Sequence, residues 1–176
     1  MPPTRRSRVS LEAACATIDA TCICTRVRQV SRVVTRFFDS SLAASGLRVT
    51  QFTVLVAICR SRGATFSGLA NAIGMDRSTL PRNVRPLIRR GWITVQPAPD
   101  RRRRTLQLTK AGEKQLARTI PHWDRAQRRI LRVVGRTKWD SLSADLLSLA
   151  ESARTPSNGA RSGHPGRIVR VRADRR

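Results

Sequence analysis

The residues whose side chains could do chemistry are concentrated between Gly74 and Gly91. Four polar residues in this segment recur at helical spacing and share one helix face: Ser78, Arg82, Arg85 and Arg89. Arginine forms paired hydrogen bonds with guanine edges, asparagine does so with adenine, and hydroxyl groups bind phosphate oxygens. The candidate nucleic-acid contacts are Arg77, Ser78, Thr79, Arg82, Asn83 and Arg85.

Five of these six side chains have a specific expected role. Arg82 or Arg85 would pair with guanine, and Asn83 would pair with adenine. Ser78 and Thr79 would hold phosphate groups. The structural alternative is a solvated basic helix face that contacts no ligand.

A helix between the two glycines must position this polar face. Leu80, Val84 and Leu87 have the spacing of a buried stripe on the opposite side. Asp76 stands where an N-cap is expected, and Gly91 stands where a left-handed residue ends a helix.

Two prolines lie inside the predicted helix. Pro81 would remove an amide donor and crowd the carbonyl of Arg77, and Pro86 repeats the effect further along. We therefore expect a kink, which affects the base contacts more than the fold.

A second short helix is predicted from Phe66 to Ile73, with Thr65 as its N-cap. Small Ala70 allows close helix approach, Gly74 supplies a positive φ, and Leu80 packs back onto the first helix. These three residue types at this spacing match a helix-turn-helix.

Two short strands are predicted next, Trp92–Gln96 and Thr105–Thr109, around a tip rich in proline and arginine. This hairpin is termed the wing. It contains the run Asp100-x-Arg102-x-Arg104, followed by Leu108-Thr109-x-x-Gly112. With these residues, the chain from Leu47 to Leu116 resembles the winged helix-turn-helix core of the MarR (multiple antibiotic resistance regulator) family.

The resemblance implies a mainly α fold with a small β-wing (α+β), in which long dimerisation helices flank the winged core. It also implies a homodimer that binds a near-palindromic operator in double-stranded DNA, usually as a repressor. A small-molecule inducer would bind between the long helices and the core. Such binding would change the spacing of the two recognition helices, which correspond to the Gly74–Gly91 segment.

In the wing, Arg102, Arg103 and Arg104 are the expected DNA contacts, because arginine in a narrow minor groove reads its shape. Asp100 would pair with a wing arginine and fix the turn. That pairing is also the structural alternative to DNA contact for Arg102.

Amphipathic segments flank the core. A long helix is predicted over residues 21–44, because its apolar residues are spaced alternately four and three positions apart: Ile23, Val27, Val30, Val34 and Phe37. These residues form an apolar seam along one side of the helix. A second long helix is predicted over Lys110–Val134 with a kink at Pro121, and Gly135 separates it from a third seam over Trp139–Ala153. Because such seams need burial, we expect an obligate dimer.

The chain is strongly basic, with 35 Lys and Arg against 11 Asp and Glu and a formal net charge of +24. This charge predicts nucleic acid as the partner rather than a membrane, because no apolar run reaches the roughly 18 residues that span a bilayer. GC-rich codon usage is the alternative explanation for arginines outside the helix and wing. With no secretory signal visible, we expect a bacterial cytoplasmic protein that joins the nucleoid when bound to DNA.

Three regions are predicted along the chain. Residues 1–10 form a flexible basic arm, residues 11–154 form the winged domain with its dimerisation helices, and residues 155–176 form a disordered Arg-rich tail. The tail is either a DNA tether or a solvated end.

The sequence contains four cysteines: Cys15, Cys22, Cys24 and Cys59. A cytoplasmic location argues against a structural disulfide, and Cys22-x-Cys24 is too short for a zinc knuckle, so no metal is expected. Some MarR relatives sense oxidants through a cysteine near the start of the first long helix. Cys22 and Cys24 are therefore candidate redox residues, although the absence of tyrosine favours inert cysteines.

No catalytic constellation is visible in the sequence. His122 and His164 are isolated, and there is no Gly-rich phosphate loop. We therefore expect no enzyme activity and no cofactor. The rival to a sequence-specific regulator is a basic protein that binds nucleic acid without sequence preference.

Overall fold

The computed structural model describes residues 5–61, 63–97 and 104–154, with side chains from Ser10 onward. The elements in chain order are α1 Arg5–Thr21, α2 Ile23–Leu42, a 3-10 turn Ala43–Ser45, α3 Val49–Ser61, β1 Ala64–Thr65, α4 Phe66–Ile73, α5 Leu80–Arg89, β2 Ile93–Pro97, β3 Arg104–Leu108, α6 Lys110–Val134 and α7 Arg136–Arg154. The chain divides into two compact units, residues 1–130 and 131–176. The mainly α fold with a small β-wing that the sequence predicts is confirmed.

The sheet is antiparallel with strand order β1-β3-β2. In the β2–β3 hairpin, Ile93 pairs with Leu108 and Pro97 with Arg104, so each strand begins or ends within one residue of its predicted limit. The short β1 pairs Ala64 with Leu106 and was not predicted. A two-residue strand has too few positions to show an alternating pattern in the sequence, so β1 is recognised only by its hydrogen-bonded pairing with β3.

One hydrophobic core joins α3, α4, α5 and the sheet. Its fully buried side chains come from every one of these elements: Val54, Leu55, Ile58, Leu69, Leu80, Leu87 and Leu106. Such burial contributes about 1.5–3 kcal/mol for each large aliphatic side chain, which makes this core the main source of stability for the segment that holds the arginine face.

The buried face of α3 is wider than the apolar spacing of its sequence indicates. Phe52, Leu55 and Cys59 have the spacing of one helix face, but Cys59 is exposed and Ile58 is buried in its place. Helix α3 is enclosed by α4, α5 and β3 on more than one side, so its buried surface is wider than a single narrow stripe.

The N-terminal residues also differ from expectation. Helix α1 begins at Arg5, where we expected a flexible arm over residues 1–10, because no proline or glycine interrupts the chain between Arg5 and Thr21. The long helix predicted over residues 21–44 begins later, at Ile23, after a break at Cys22. The predicted tail over residues 155–176 lies outside the described residues.

Among the described residues, no single helix is long and apolar enough to cross a membrane. The helical stretches Ile23–Ser45 and Val49–Ser61 meet that test only as a pair, with a bend of 76° between them.

Candidate nucleic-acid interface

The helix-turn-helix begins with α4, whose ends have the predicted caps. The Thr65 hydroxyl accepts a hydrogen bond from the Gly68 amide at 3.1 Å. At the other end Gly74 has a φ of +65°, and the Met75 amide donates to the Ala70 carbonyl at 2.9 Å. Local capping therefore ends α4 sharply and directs the chain into the next turn.

Helix α5 begins later than the sequence predicted. Asp76 was expected to cap it, but the amides of Thr79 and Leu80 both donate to the Asp76 carbonyl in a turn, and Thr79 is the N-cap residue. Pro81 consequently occupies the first turn, where a helix has no use for its amide donor. The prediction that Pro81 lies in the helix interior was therefore wrong.

Pro86 lies inside α5, as predicted, and the helix ends at a glycine. Gly91 has a φ of +70°, its amide donates to the Ile88 carbonyl at 2.8 Å, and the Trp92 amide donates to the Leu87 carbonyl at 3.0 Å. These two bonds form the Schellman motif that accompanies a left-handed residue at a helix end.

The two faces of α5 have opposite environments. Leu80, Val84 and Leu87 are at most 1% exposed and pack into the core. Arg82, Arg85 and Arg89 are exposed, and so are Arg77, Ser78 and Thr79 in the preceding turn. None of the ion pairs among the described residues involves these arginines. The structure thus brings the predicted cationic residues together on a surface where their charges are not neutralised.

Asn83 is not directed outward like the arginines. Its side-chain amide donates to the Thr79 carbonyl at 3.3 Å and lies 3.6 Å from the sulfur of Met75, and the residue is half-buried. A contact between this amide nitrogen and a base would require both interactions to break.

The structure describes the two strands of the wing, β2 and β3. Arg104 is exposed at the start of β3, opposite Pro97. The predicted contacts Arg102 and Arg103, and the predicted pairing of Asp100, fall outside the described residues.

Thr109 and Gly112 attach the wing and α6 to the end of α5. The Thr109 hydroxyl donates to the Gly91 carbonyl at 2.6 Å and accepts from the Gly112 amide at 3.0 Å, while the Thr109 amide donates to the Trp92 carbonyl at 3.1 Å. A Cβ atom on Gly112 would lie 2.1 Å from that carbonyl oxygen. The Leu108-Thr109-x-x-Gly112 run therefore has a structural reason: threonine links the segments and glycine permits their close approach.

Arg90 is a structural residue that the sequence did not single out. Its Nη1 donates to the Gly46 carbonyl at 2.8 Å, and its guanidinium lies 5.0 Å from the centre of the Trp92 ring. The contact joins residues 44 positions apart, and no periodic pattern could have indicated it.

A cavity of about 420 Å³ lies between α3 and α6. Its lining is mostly apolar and consists of Val49, Phe52, Thr53, Val56, Ile120 and Trp123. The rings of Phe52 and Trp123 stack with a centroid distance of 6.2 Å. Such a lining suits a small ligand with an apolar or aromatic body.

The candidate redox cysteines have different environments. Cys22 precedes α2 as its N-cap residue and is half-buried, whereas Cys24 is exposed within the helix. The Thr25 hydroxyl lowers the pKa of the Cys22 thiol, and the Thr25 and Cys24 backbone amides act in the same direction. Partial burial and Asp19 oppose this shift. Within the described part of the chain, all four cysteines are free and no group of acidic, histidine or cysteine side chains could hold a metal ion.

Residues 45–104 match the model of the MarR family. The M. tuberculosis transcriptional regulator MosR, solved in complex with DNA, is 32% identical with a TM-score of 0.67, and the match covers 76% of this chain and 99% of that chain. A MarR-family regulator from Rhodococcus sp. RHA1 is 26% identical with a TM-score of 0.66, covering 73% of this chain and 91% of its own. The transcriptional repressor CouR, bound to a 23-mer DNA duplex, is 25% identical with a TM-score of 0.68, covering 76% and 95%. A comparison with curated protein sequences gives no match.

Proposed function

This chain belongs to the MarR family of DNA-binding transcriptional regulators, which are not enzymes, and we propose that it is a homodimeric repressor of a near-palindromic operator. The observation that carries the proposal is the unpaired cationic surface of α5, held rigidly by a buried opposite face. A helix with these two faces can enter the major groove while its scaffold stays packed. The repressor CouR, which is similar in fold, supports the direction of regulation.

In this proposal Arg77, Arg82 and Arg85 reach base edges, because they lie in the turn before α5 and in its first two turns. Ser78 and Thr79 hold phosphate groups from the same turn. Asn83 contacts adenine only if its amide leaves Thr79 and Met75. The wing arginines Arg102, Arg103 and Arg104 enter the flanking minor groove, and Asp100 fixes the wing tip.

The proposed release of DNA uses the cavity between α3 and α6. A small apolar or aromatic ligand inserted between Phe52 and Ile120 would move the two helices relative to each other. Because α6 continues from the wing, this movement would alter how the wing and α5 fit the operator. Trp123→Ala should abolish the effect of any ligand that releases operator DNA. A ligand that still acts on this variant with unchanged potency would place the effector site elsewhere.

Oxidation of Cys22 is a second candidate for the release step, favoured by its position at the α1–α2 break and by its lowered pKa. A thiolate reacts with oxidants far faster than a thiol. Peroxide treatment should weaken operator binding by the native protein and leave the Cys22→Ser variant unaffected. Equal responses in both proteins would exclude this route.

Selection of binding sites from random duplexes tests the central proposal. A sequence-specific dimer should return two related half-sites at a fixed spacing, and should prefer them to random duplex by about a thousandfold or more. A basic protein without sequence preference, acting on any nucleic acid of the nucleoid, would return no motif. That result would contradict the proposed function.

A further inference from the structure

The turn that follows α2, residues 43–46, receives hydrogen bonds from two distant helices. Gln115 of α6 donates from Nε2 to the Ser45 carbonyl at 2.6 Å. Arg90, at the end of α5, donates from Nη1 to the adjacent Gly46 carbonyl at 2.8 Å. Consecutive carbonyls of one turn thus connect α2 with both the helix that carries the arginine face and the helix that lines the cavity.

The Arg90 side chain is held on two sides. Its guanidinium lies over the Trp92 ring, and its Nη1 donates to Gly46, whose φ of +71° orients the turn. A planar guanidinium can stack and donate at the same time, which fixes its position more strictly than either contact alone. The Arg90 side chain therefore links the C-terminal end of α5 to the turn at the end of α2.

The turn itself is firmly attached to α2 and α3. The Ser45 hydroxyl donates to the Leu42 carbonyl at 2.7 Å, and the Val49 amide donates to Asp39 Oδ1 at 2.7 Å. Because of these hydrogen bonds, a displacement of Gly46 would move α2 together with the turn. Gln115, which is only 9% exposed, holds α6 against the same point.

We propose that Arg90 is a positioning residue for DNA recognition: it holds α5 at a fixed offset from α2 and thereby sets the distance between the two recognition helices of a dimer. Gln115 supports the same turn from α6. Neither residue contacts DNA in this role. The inference rests on the proposed dimer and on its binding to an operator.

The test measures preference for half-site spacing instead of affinity alone. Binding is compared on the selected operator and on duplexes of equal length whose half-sites are moved by one base pair in either direction. Native protein should favour its own spacing by about tenfold or more, because one base pair changes both the separation and the rotation of the half-sites. Arg90→Ala should reduce that ratio to about threefold or less, and Gln115→Met should reduce it in the same direction. A substitution that only removed a phosphate contact would weaken binding to all of these duplexes equally, so it would leave the ratio of affinities unchanged.

Arg118→Ala is the matched control, since Arg118 is exposed on α6 and takes part in no ion pair or hydrogen bond among the described residues. This control should keep the native spacing ratio. Melting curves of Arg90→Ala close to the native curve would show that folding is intact. If native protein selects an operator but Arg90→Ala and Gln115→Met keep its spacing ratio, the positioning role of Arg90 is wrong while the proposed function stands. If native protein selected no operator, the proposed function and this inference would fail together.

Discussion

Single arginines in the interface are expected to differ in what they recognise. Arg82 lies in the first turn of α5, on the face opposite the buried Leu80 and Val84, whereas Arg104 lies at the start of β3 in the wing. A paired contact to a base acts only on the correct sequence, but neutralisation of a phosphate acts on every sequence. The two side chains therefore offer a test of recognition at the level of one residue.

Arg82→Ala should weaken binding to the operator by about 1–3 kcal/mol and leave binding to scrambled duplex nearly unchanged. Arg104→Ala should weaken both, because an arginine in the wing neutralises phosphate charge on any sequence, and should lower the slope of log K against log salt by about one unit. Salt titrations of both variants on both duplexes measure this difference. Equal losses in all four titrations would mean that α5 reads only charge.

The geometry of the junction between α5, the wing and α6 depends on two glycines, Gly91 and Gly112. Helix α6 begins so close to the Trp92 backbone that only glycine fits at position 112. Gly91 at the end of α5 has a positive φ instead, and an added Cβ there would meet nothing within 4 Å. The two glycines thus have different physical reasons, close approach in one case and backbone conformation in the other.

Gly112→Ala should therefore destabilise the protein by about 3 kcal/mol, because a clash with backbone forces α6 away from the wing. Gly91→Ala, the matched control, should cost about 1 kcal/mol from the strain of a left-handed alanine. Urea unfolding followed by circular dichroism measures both values. A loss for Gly112→Ala no larger than that for Gly91→Ala would show that α6 can shift without cost.

At the scale of the whole molecule, apolar surface remains uncovered on a single chain. Along α2, Ile23 and Val30 are each 60% exposed, and Val27 and Val34 are 41% and 38% exposed. Leu142 and Leu146 of α7 are also exposed. Contiguous seams of this kind mark protein interfaces, and they support the proposed dimer.

Replacing both Val30 and Val34 by glutamine should dissociate the dimer or unfold the chain, since it places two polar amides in the seam. The double variant Arg28→Gln and Arg32→Gln, on the opposite face of α2, should remain dimeric. Light scattering at micromolar concentration measures the assembly. A native protein that is folded and monomeric under these conditions would contradict the dimer. A dimer unaffected by the valine substitutions would show that the α2 seam is not its interface.

The sequence by itself determined the features that depend on neighbouring residues. Apolar residues at helical spacing defined the buried face of α5, and Thr65 and Gly74 defined the ends of α4, because caps and helix faces are set within a few residues. The tip rich in proline and arginine separated the two wing strands. The family was suggested by the helix-turn-helix residues together with the runs Asp100-x-Arg102-x-Arg104 and Leu108-Thr109-x-x-Gly112. Pro81 was misplaced because capping rules alone did not show that the turn at Asp76 delays the helix start.

The tertiary structure decided what depends on residues far apart in the chain. It buried Ile58 in place of Cys59, paired β1 with β3, turned Asn83 inward, and brought Arg90 to Gly46 and Gln115 to Ser45. The cavity between Phe52 and Trp123 likewise exists only where α3 meets α6. Each of these contacts requires two distant elements to be in place, so it follows from how the elements pack and not from any local pattern.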